Sequence, residues 1–416
     1  MIAIIEKVYQ FLWGDWIVLP LPGGSSFRLS LLVLILIPAG IWFTIRTRFL
    51  PIRLFPDMLH ALFEKKGKEE GESHNSTLSA LQTLIVSTAT RVGMGNLVGV
   101  VAAISAGGAG AVFWMWVTAL IGSSTAFVEA TLAQIYKEKD PVYGGYRGGP
   151  AYYMHRFIQE KRGGKKKRYV GISVLFAISG LICWCGISQV ISNSVTSAFH
   201  NAFHIPPIYT TVVLVALAAV IIFRKTATVK VLDVLVPVMA GCYFLITVIL
   251  ICMNFSALPG VFSRIFEEAF GIRQAVAGGL GTVVMNGVKR GLFSNEAGSG
   301  SAPCAAAAAE SDQPVKLGLT QALGVFIDTI VICSCTAMIM LLTPESLTEG
   351  AVGMELLQVA MGYHLGQFGV IFIAATLWLF SFSTFLGILY YARSNISYLF
   401  GDGMLPQNLY KVLALV

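Results

Sequence analysis

The sequence predicts an all-α polytopic membrane protein. Three observations carry that prediction: a charge-poor composition, a series of long apolar stretches, and basic residues concentrated in alternate loops. Of 416 residues, 56% are hydrophobic and 12% charged, with a mean hydropathy of +0.73. Average soluble domains carry about twice that share of charge, so water is not the main solvent of this chain. The formal net charge of +7 does not indicate a nucleic-acid partner, because the basic residues lie in particular loops between apolar spans. The expected partner is the lipid bilayer.

Residues 1–26 read as an amphipathic segment lying at the membrane interface. A cleaved leader is disfavoured there, because the start is not basic and Glu6, Lys7 and Asp15 interrupt the apolar residues. Residues 27–77 hold an extra helix, about Phe27–Thr47, and a cytoplasmic linker. A membrane span needs roughly 20 apolar residues. Five follow: Leu78–Ala106, Ala111–Tyr136, Val170–Phe199, Ile208–Phe223 and Val229–Met253. Span 6 is Ala275–Ala309, interrupted in its middle, span 7 is Val315–Leu342, span 8 is Phe368–Phe400, and a ninth begins near Leu405. Residues 78–253 thus form a first five-span unit, and 254–416 a second that is truncated at the C-terminus.

Loop charge sets the topology, since cytoplasmic loops are rich in Lys and Arg. Arg46, Arg48, Arg53, Lys65, Lys66 and Lys68 precede span 1. Lys161, Arg162, Lys165, Lys166, Lys167 and Arg168 lie between spans 2 and 3, and Arg224 and Lys225 between spans 4 and 5. Residues 200–207 and 343–367 contain no Lys or Arg. This alternation puts the N-terminus outside and loops 48–77 and 137–168 in the cytoplasm. The seven cysteines all fall in apolar stretches, where they read as buried fillers rather than disulfides or metal ligands.

Two spans contain residues that a plain membrane helix avoids. Span 1 carries Arg91, Gly93, Gly95, Asn96 and Gly99; span 6 carries Lys289, Arg290, Asn295 and Glu296 among glycines over Asn286–Ser301. A mid-helix glycine costs about 1 kcal/mol relative to alanine, and a charge at bilayer depth at least about 2.5 kcal/mol. Such clusters persist where unwound backbone lines an enclosed or watery cavity. Interruptions in the first and sixth spans are corresponding positions of two five-span units, and an odd count inverts the second unit. That is the pattern of an inverted-repeat carrier. Bared helix N-termini suit a carboxylate, and bared carbonyls suit a cation. An amino-acid zwitterion with sodium has the complementary charges.

Phe380-Ser381-Phe382-Ser383-Thr384 places hydroxyls inside span 8, either as ion ligands or bonded back to the preceding turn. Glu129 and Asp328 lie at membrane depth and are expected to pair with Arg91 or with Lys289 and Arg290, with direct substrate contact as the alternative, while Asp233 is interfacial. Trp184, deep in span 3, is the aromatic candidate for a pocket wall; Trp114, Trp116 and Tyr136 read as interface anchors. A channel would show a filter motif or rings of like charge, and an intramembrane enzyme a nucleophile with its base or a metal-binding His pair. None of these patterns is present, so neither an enzyme nor a cofactor beyond the coupling ion is expected.

Three segments resemble the alanine or glycine:cation symporter family: Arg91-Val92-Gly93-Met94-Gly95-Asn96, Gly110-Ala111-Val112-Phe113-Trp114-Met115-Trp116, and Gly291-Leu292-Phe293-Ser294-Asn295-Glu296-Ala297-Gly298-Ser299-Gly300-Ser301-Ala302-Pro303. The resemblance implies a LeuT-type fold of inverted five-helix repeats with helices 1 and 6 broken, and sodium-coupled uptake of alanine or glycine. Carried over by position, Gly93, Met94, Gly95 and Asn96 would meet the substrate carboxylate, and Phe293, Ser294 and Asn295 its amino group. Ala89, Val92, Phe380, Ser383 and Thr384 would surround sodium. The chain departs from the family at Ile191, where a Gln is usual, and at Ile388, where many members have Trp or Asn. Glutamine or another neutral amino acid therefore stays open as the substrate; separately, proton coupling stays open as the alternative to sodium.

Overall fold

The computed structural model describes residues 2–20, 26–63, 91–142, 144–164, 168–223, 227–272, 279–309 and 313–415. The expected first half of span 1, including Ala89, lies outside the described residues. Helix α1 (Ile2–Trp13) leads into a hairpin of β1 (Asp15–Pro20) and β2 (Ser26–Ser30), paired antiparallel. The sequence reading gave this region only an amphipathic segment. The run Trp16-Ile17-Val18 is aromatic and β-branched, which favours a pleated strand over a helix.

The first helices after the hairpin are α2 (Leu31–Arg46), α3 (Leu50–Arg53) and α4 (Phe55–Phe63). A π-helical turn, Gly95–Gly99, runs into α5 (Val100–Gly107), and α6 (Gly110–Ile135) returns beside it. Two short strands, β3 (Glu138–Lys139) and β4 (Tyr146–Arg147), precede α7 (Pro150–Lys161). Then come α8 (Gly171–Phe203), α9 (Pro207–Phe223), α10 (Ala227–Met253) and α11 (Leu258–Ala269). Span 6 divides into α12 (Gly279–Asn295) and α13 (Ser301–Ala308). Span 7 is α14 (Pro314–Val325), a π-helical stretch Phe326–Cys333 and α15 (Ser334–Leu341). The chain continues through α16 (Glu345–Thr348), α17 (Met354–Phe400) and α18 (Met404–Leu415). Within α17, Gly366 (φ 60°, ψ −151°) breaks the winding, so the membrane part starts next to the expected Phe368.

Among the described residues, Gly110–Ile135, Gly171–Phe203, Pro314–Leu341 and Met354–Phe400 are long and apolar enough to cross a membrane. Pro237–Met253 passes only when joined to Phe255–Ala269, from which it is bent by 77°. The outward faces are as apolar as the core: Leu175 and Ile182 of α8 are 68% and 69% exposed, and Leu245 of α10 is 60% exposed. Large apolar side chains in that number on long helices suit hydrocarbon, not water. The described cysteines are free; Cys304, Cys333 and Cys335 are buried, but Cys183, Cys242 and Cys252 lie on outward faces, so the filler reading fails for those three. Inside, α8 packs along α17, and α12 and α14 pack along α6. The largest buried cluster joins Val92, Met94 and Leu97 to Trp184, Ile191, Tyr243, Phe380 and Ile388. The interrupted part of span 1 is therefore enclosed by spans 3, 5 and 8.

Candidate functional site

Span 1 comes apart where its glycines predict. Residues 92–94 leave the helix, and the chain rewinds as the π turn Gly95–Gly99. Two peptide N–H groups here are held by side chains instead of a helical ladder. Gly93 N donates to Asn96 Oδ1 at 3.4 Å, and Met94 N donates to Thr384 Oγ1 at 3.3 Å. Both bonds are long for an N–H donor. Gly93 has no room for a side chain, since a Cβ there would overlap Thr384 Oγ1.

Span 6 corrects the sequence reading. The helix runs unbroken through Lys289 and Arg290 to Asn295, and the interruption is confined to residues 296–300. Lys289 is tolerated because its Nζ donates to Trp13 O at 3.1 Å and lies over the Trp13 ring. The break itself is built from left-handed residues: Glu296 (φ 55°), Gly298 (φ 85°) and Gly300 (φ 81°). A non-glycine residue in that region is uncommon, and Glu296 is pinned there. Ser301 Oγ donates to its carboxylate at 2.6 Å, and Ser299 Oγ to its carbonyl at 2.7 Å. Gly298 N donates to Glu129 Oε2 at 3.0 Å.

The two interruptions face each other. The Phe293 ring packs over Gly95 and Gly99, and Ser294 is buried beside Asp328, donating to its Oδ2 at 3.3 Å. Asn295, expected with these two, sits against Gly122 of α6 instead, and its Oδ1 accepts Ala297 N at 3.0 Å. Trp184 belongs to the same buried cluster as Val92 and Met94 and packs on Tyr391 with ring centroids 5.9 Å apart. On span 8, Ser383 Oγ and Thr384 Oγ1 both donate to Phe380 O, at 3.0 and 2.8 Å. Their protons are occupied by the preceding turn; Ser383 Oγ keeps its lone pairs, and Thr384 Oγ1 uses one to accept Met94 N. Phe380, Ser383 and Thr384 share one face of the helix, by its period of 3.6 residues. Ser381, Phe382 and Phe385 lie on the opposite face, where they line a separate cleft of about 430 Å³ with α8, α9 and α18.

For Asp328 the pairing reading fails. This carboxylate was expected to pair with a basic side chain. Its Oδ1 instead accepts Asn96 Nδ2 at 2.6 Å, and its Oδ2 accepts the hydroxyls of Ser294 and of Thr329, the latter at 3.2 Å. Glu129 likewise holds a backbone N–H of the span 6 break. Arg91 Nη1 donates to Gln321 O at 2.8 Å. Trp116 turns inward to Ser334 Oγ (2.8 Å) and Trp114 donates to Ala269 O (3.0 Å), so both indoles brace helices together. Thr336 was missed altogether; its hydroxyl donates to Asn96 O at 2.9 Å and also meets Tyr243. The side chain of Asp233 lies outside the described residues.

A multi-pass helical bundle with two interrupted helices meeting at its buried centre has the architecture of a secondary membrane carrier. The chain belongs to the sodium:alanine symporter family, whose sequence model matches residues 23–416, and its function is sodium-coupled amino-acid symport. It is 43% identical over 379 residues to the amino-acid carrier protein AlsT of Bacillus subtilis, covering 90% of this chain and 77% of the relative. The probable sodium/glutamine symporter GlnT of the same organism is 43% identical over 374 residues, 89% of this chain and 75% of the relative. The sodium/alanine symporter AgcS of Methanococcus maripaludis is 33% identical over 404 residues, 96% of this chain and 84% of the relative. Among solved structures, a Na+-coupled sialic acid symporter in an outward-open state aligns with a TM-score of 0.55 at 12% identity, over 91% of this chain and 79% of that one. The Eremococcus coleocola manganese transporter aligns with a TM-score of 0.57 at 10% identity, over 83% and 72%. At those identities the likeness speaks for the fold alone.

Proposed function

We propose that the chain takes up a small neutral amino acid, alanine or glycine, together with sodium across a prokaryotic plasma membrane. In this reading it is a LeuT-type pair of inverted five-helix repeats, with the N-terminus outside and loops 48–77 and 137–168 in the cytoplasm. The observation that carries the reading is the meeting of the span 1 break with span 8, where Thr384 accepts Met94 N and crowds Gly93. Sodium seated on the carbonyls of Ala89, Val92 and Phe380 and the hydroxyl oxygens of Ser383 and Thr384 would tie these spans together. The long bonds from Gly93 N and Met94 N exchange readily for a substrate carboxylate, beside Gly95 and Asn96. Phe293 and Ser294 then lie on the amino-group side.

Glutamine is the second reading, because the relative named as a probable glutamine symporter and one named as a putative alanine carrier match this chain almost equally, at 43% and 42% identity. The packing opposes it. Ile191 and Ile388 are both 3% exposed and lie in the cluster that holds Trp184 and Met94. An amide side chain against that wall would lose hydrogen bonds to water, an unsatisfied burial costing about 1–3 kcal/mol. Accumulation of labelled alanine in proteoliposomes should follow an inward sodium gradient and stop when the gradient is collapsed. Glutamine should compete at least about tenfold less well than alanine, the factor that 1.4 kcal/mol represents. Uptake indifferent to sodium removes the coupling; glutamine competing as well as alanine reverses the choice of substrate.

A further inference from the structure

The stretch between spans 2 and 3 folds back over the end of span 8. Strands β3 and β4 form a small antiparallel hairpin that follows directly on α6. Just past β3, Asp140 is a buried carboxylate whose side chain is 1% exposed. Its Oδ1 accepts Val142 N at 2.9 Å, which fixes the side chain against its own turn. Its Oδ2 accepts Arg393 of α17, from Nε at 3.0 Å and also from Nη2. Arg147 of β4 makes a second ion pair, with Asp402 in the link between α17 and α18. Next to Arg393, Ser394 Oγ donates to Gly148 O at 2.6 Å, and Tyr152 OH donates to Ser394 O at 3.1 Å.

These contacts join two separately packed groups of helices. In one, α12, α13 and α14 pack along α6; in the other, α8 packs along α17. The hairpin belongs to the first group. At the end of α6, Gln134 Nε2 donates to the carbonyls of Ala306 and Ala309 where α13 ends, the latter at 2.8 Å. Gly148 and Gly149 lie directly on α13, since a Cβ on the first would overlap Ala307 Cβ and one on the second Cys304 Sγ. Cys304 is 2% exposed and belongs to the same buried cluster as Met94, Trp184 and Phe380. The hairpin thus closes the seam between α13 and α17, above the cluster that encloses the span 1 break. Carriers with paired interrupted helices work by rocking one packed group against the other around a fixed site, so contacts across this seam must part once in every cycle. Ion pairs near water suit that task, because both charges are re-solvated when they separate and the net cost is small. The side chains of Arg393, Arg147 and Asp402 are 18%, 13% and 42% exposed.

We propose that the β3–β4 hairpin is the clasp of the inner gate, with Asp140 and Arg393 as the pair that parts to let sodium and amino acid leave for the cytoplasm. The inference rests on the symport reading and on its placement of loop 137–168 inside. Asp140 and Arg393 are positioning residues, since neither touches the proposed ligands. Arg393 lies nine residues beyond Thr384 on α17, about 13 Å along one helix. A change of tilt at the proposed sodium ligands Ser383 and Thr384 therefore reaches the clasp through a continuous rod. In the arrangement described the clasp is shut, with span 8 tied to the loop that rides on the second half of span 6.

Cys304 reports the state of the clasp, because it is buried beneath Gly149. In a chain whose other six cysteines are replaced by Ser, a membrane-impermeant maleimide is applied to inside-out vesicles, and sodium-dependent alanine binding is measured on the same preparation. Asp140→Asn and Arg393→Gln should each raise the rate of Cys304 labelling at least about tenfold, the factor that loss of a charge-assisted hydrogen bond supports, while alanine still binds. The double variant should label no faster than either single one, because one pair cannot be broken twice. Increases that multiply in the double variant overturn the pair. Labelling unchanged in both single variants with binding intact overturns the gate and leaves symport standing, and so does labelling that rises only in right-side-out vesicles. Absence of sodium-dependent binding of alanine or glutamine by the native chain sinks the symport reading itself. Should the variants not fold, the Cys304 chain with its native pair decides: its labelling must change when sodium and alanine are added, and a rate indifferent to both overturns the proposal.

Discussion

Gly93→Ala is expected to abolish sodium-driven uptake while leaving an inserted, folded protein. The new methyl group would overlap Thr384 Oγ1 and stand 3.4 Å from Thr384 Cβ and 3.6 Å from Phe380 O. Thr384 cannot swing its hydroxyl aside without losing its bond to Phe380 O and its acceptance of Met94 N. Spans 1 and 8 must separate instead, by roughly the width of a methyl group. Overpacking of this kind costs about 1–3 kcal/mol, which a large bundle survives. A sodium site drawn from both spans does not survive it, because its oxygens would no longer converge. The double variant Gly93→Ala/Thr384→Ala tests the cause. Removing the hydroxyl makes the space, so thermal stability should return toward the native value while sodium dependence stays lost. Native uptake by Gly93→Ala alone would mean that spans 1 and 8 do not meet as described.

The helical frame was legible because its determinants are local. Span 2 was expected over Ala111–Tyr136 and is α6 (Gly110–Ile135); span 3 was expected over Val170–Phe199 and is α8 (Gly171–Phe203). Apolar length and flanking polar residues suffice for such elements. The break in span 1 was equally legible, since Gly93, Gly95 and Asn96 lie within one turn. In span 6 the same argument overreached. Lys289 and Arg290 looked incompatible with a helix at membrane depth, but α1 lies over Lys289 and supplies the Trp13 carbonyl. That cover comes from 276 residues away in sequence, and no periodicity reports it. Asp328 failed for the same reason, as its bond to Asn96 spans 232 residues. A carboxylate in an apolar span announces a partner without saying which. Its setting in a π-helical stretch, a frequent mark of functional segments, becomes visible only in the fold.

Thr384→Val is the second change with a large expected effect, and it addresses the ion without disturbing the shape of the helix. Valine keeps the branched outline and replaces the hydroxyl by a methyl group. Thr384 Oγ1 has two roles in the structure, as donor to Phe380 O at 2.8 Å and as acceptor from Met94 N at 3.3 Å. Losing the first frees the Phe380 carbonyl and costs span 8 little. Losing the oxygen removes a proposed sodium ligand and leaves Met94 N without its acceptor. An interaction with a charged group contributes about 1.5–3 kcal/mol, so the sodium concentration for half-maximal uptake should rise roughly ten- to hundredfold. Thr384→Ser retains the oxygen and should stay within about threefold of the native value. The contrast between these variants isolates the hydroxyl from the bulk around it. Ser383→Ala serves as the neighbouring probe, because Ser383 Oγ also donates to Phe380 O but accepts nothing from the described residues of span 1. Were sodium dependence unchanged in Thr384→Val and in Ser383→Ala, the ion would have to sit away from span 8. Its coupling to the span 1 break would then need a different bridge.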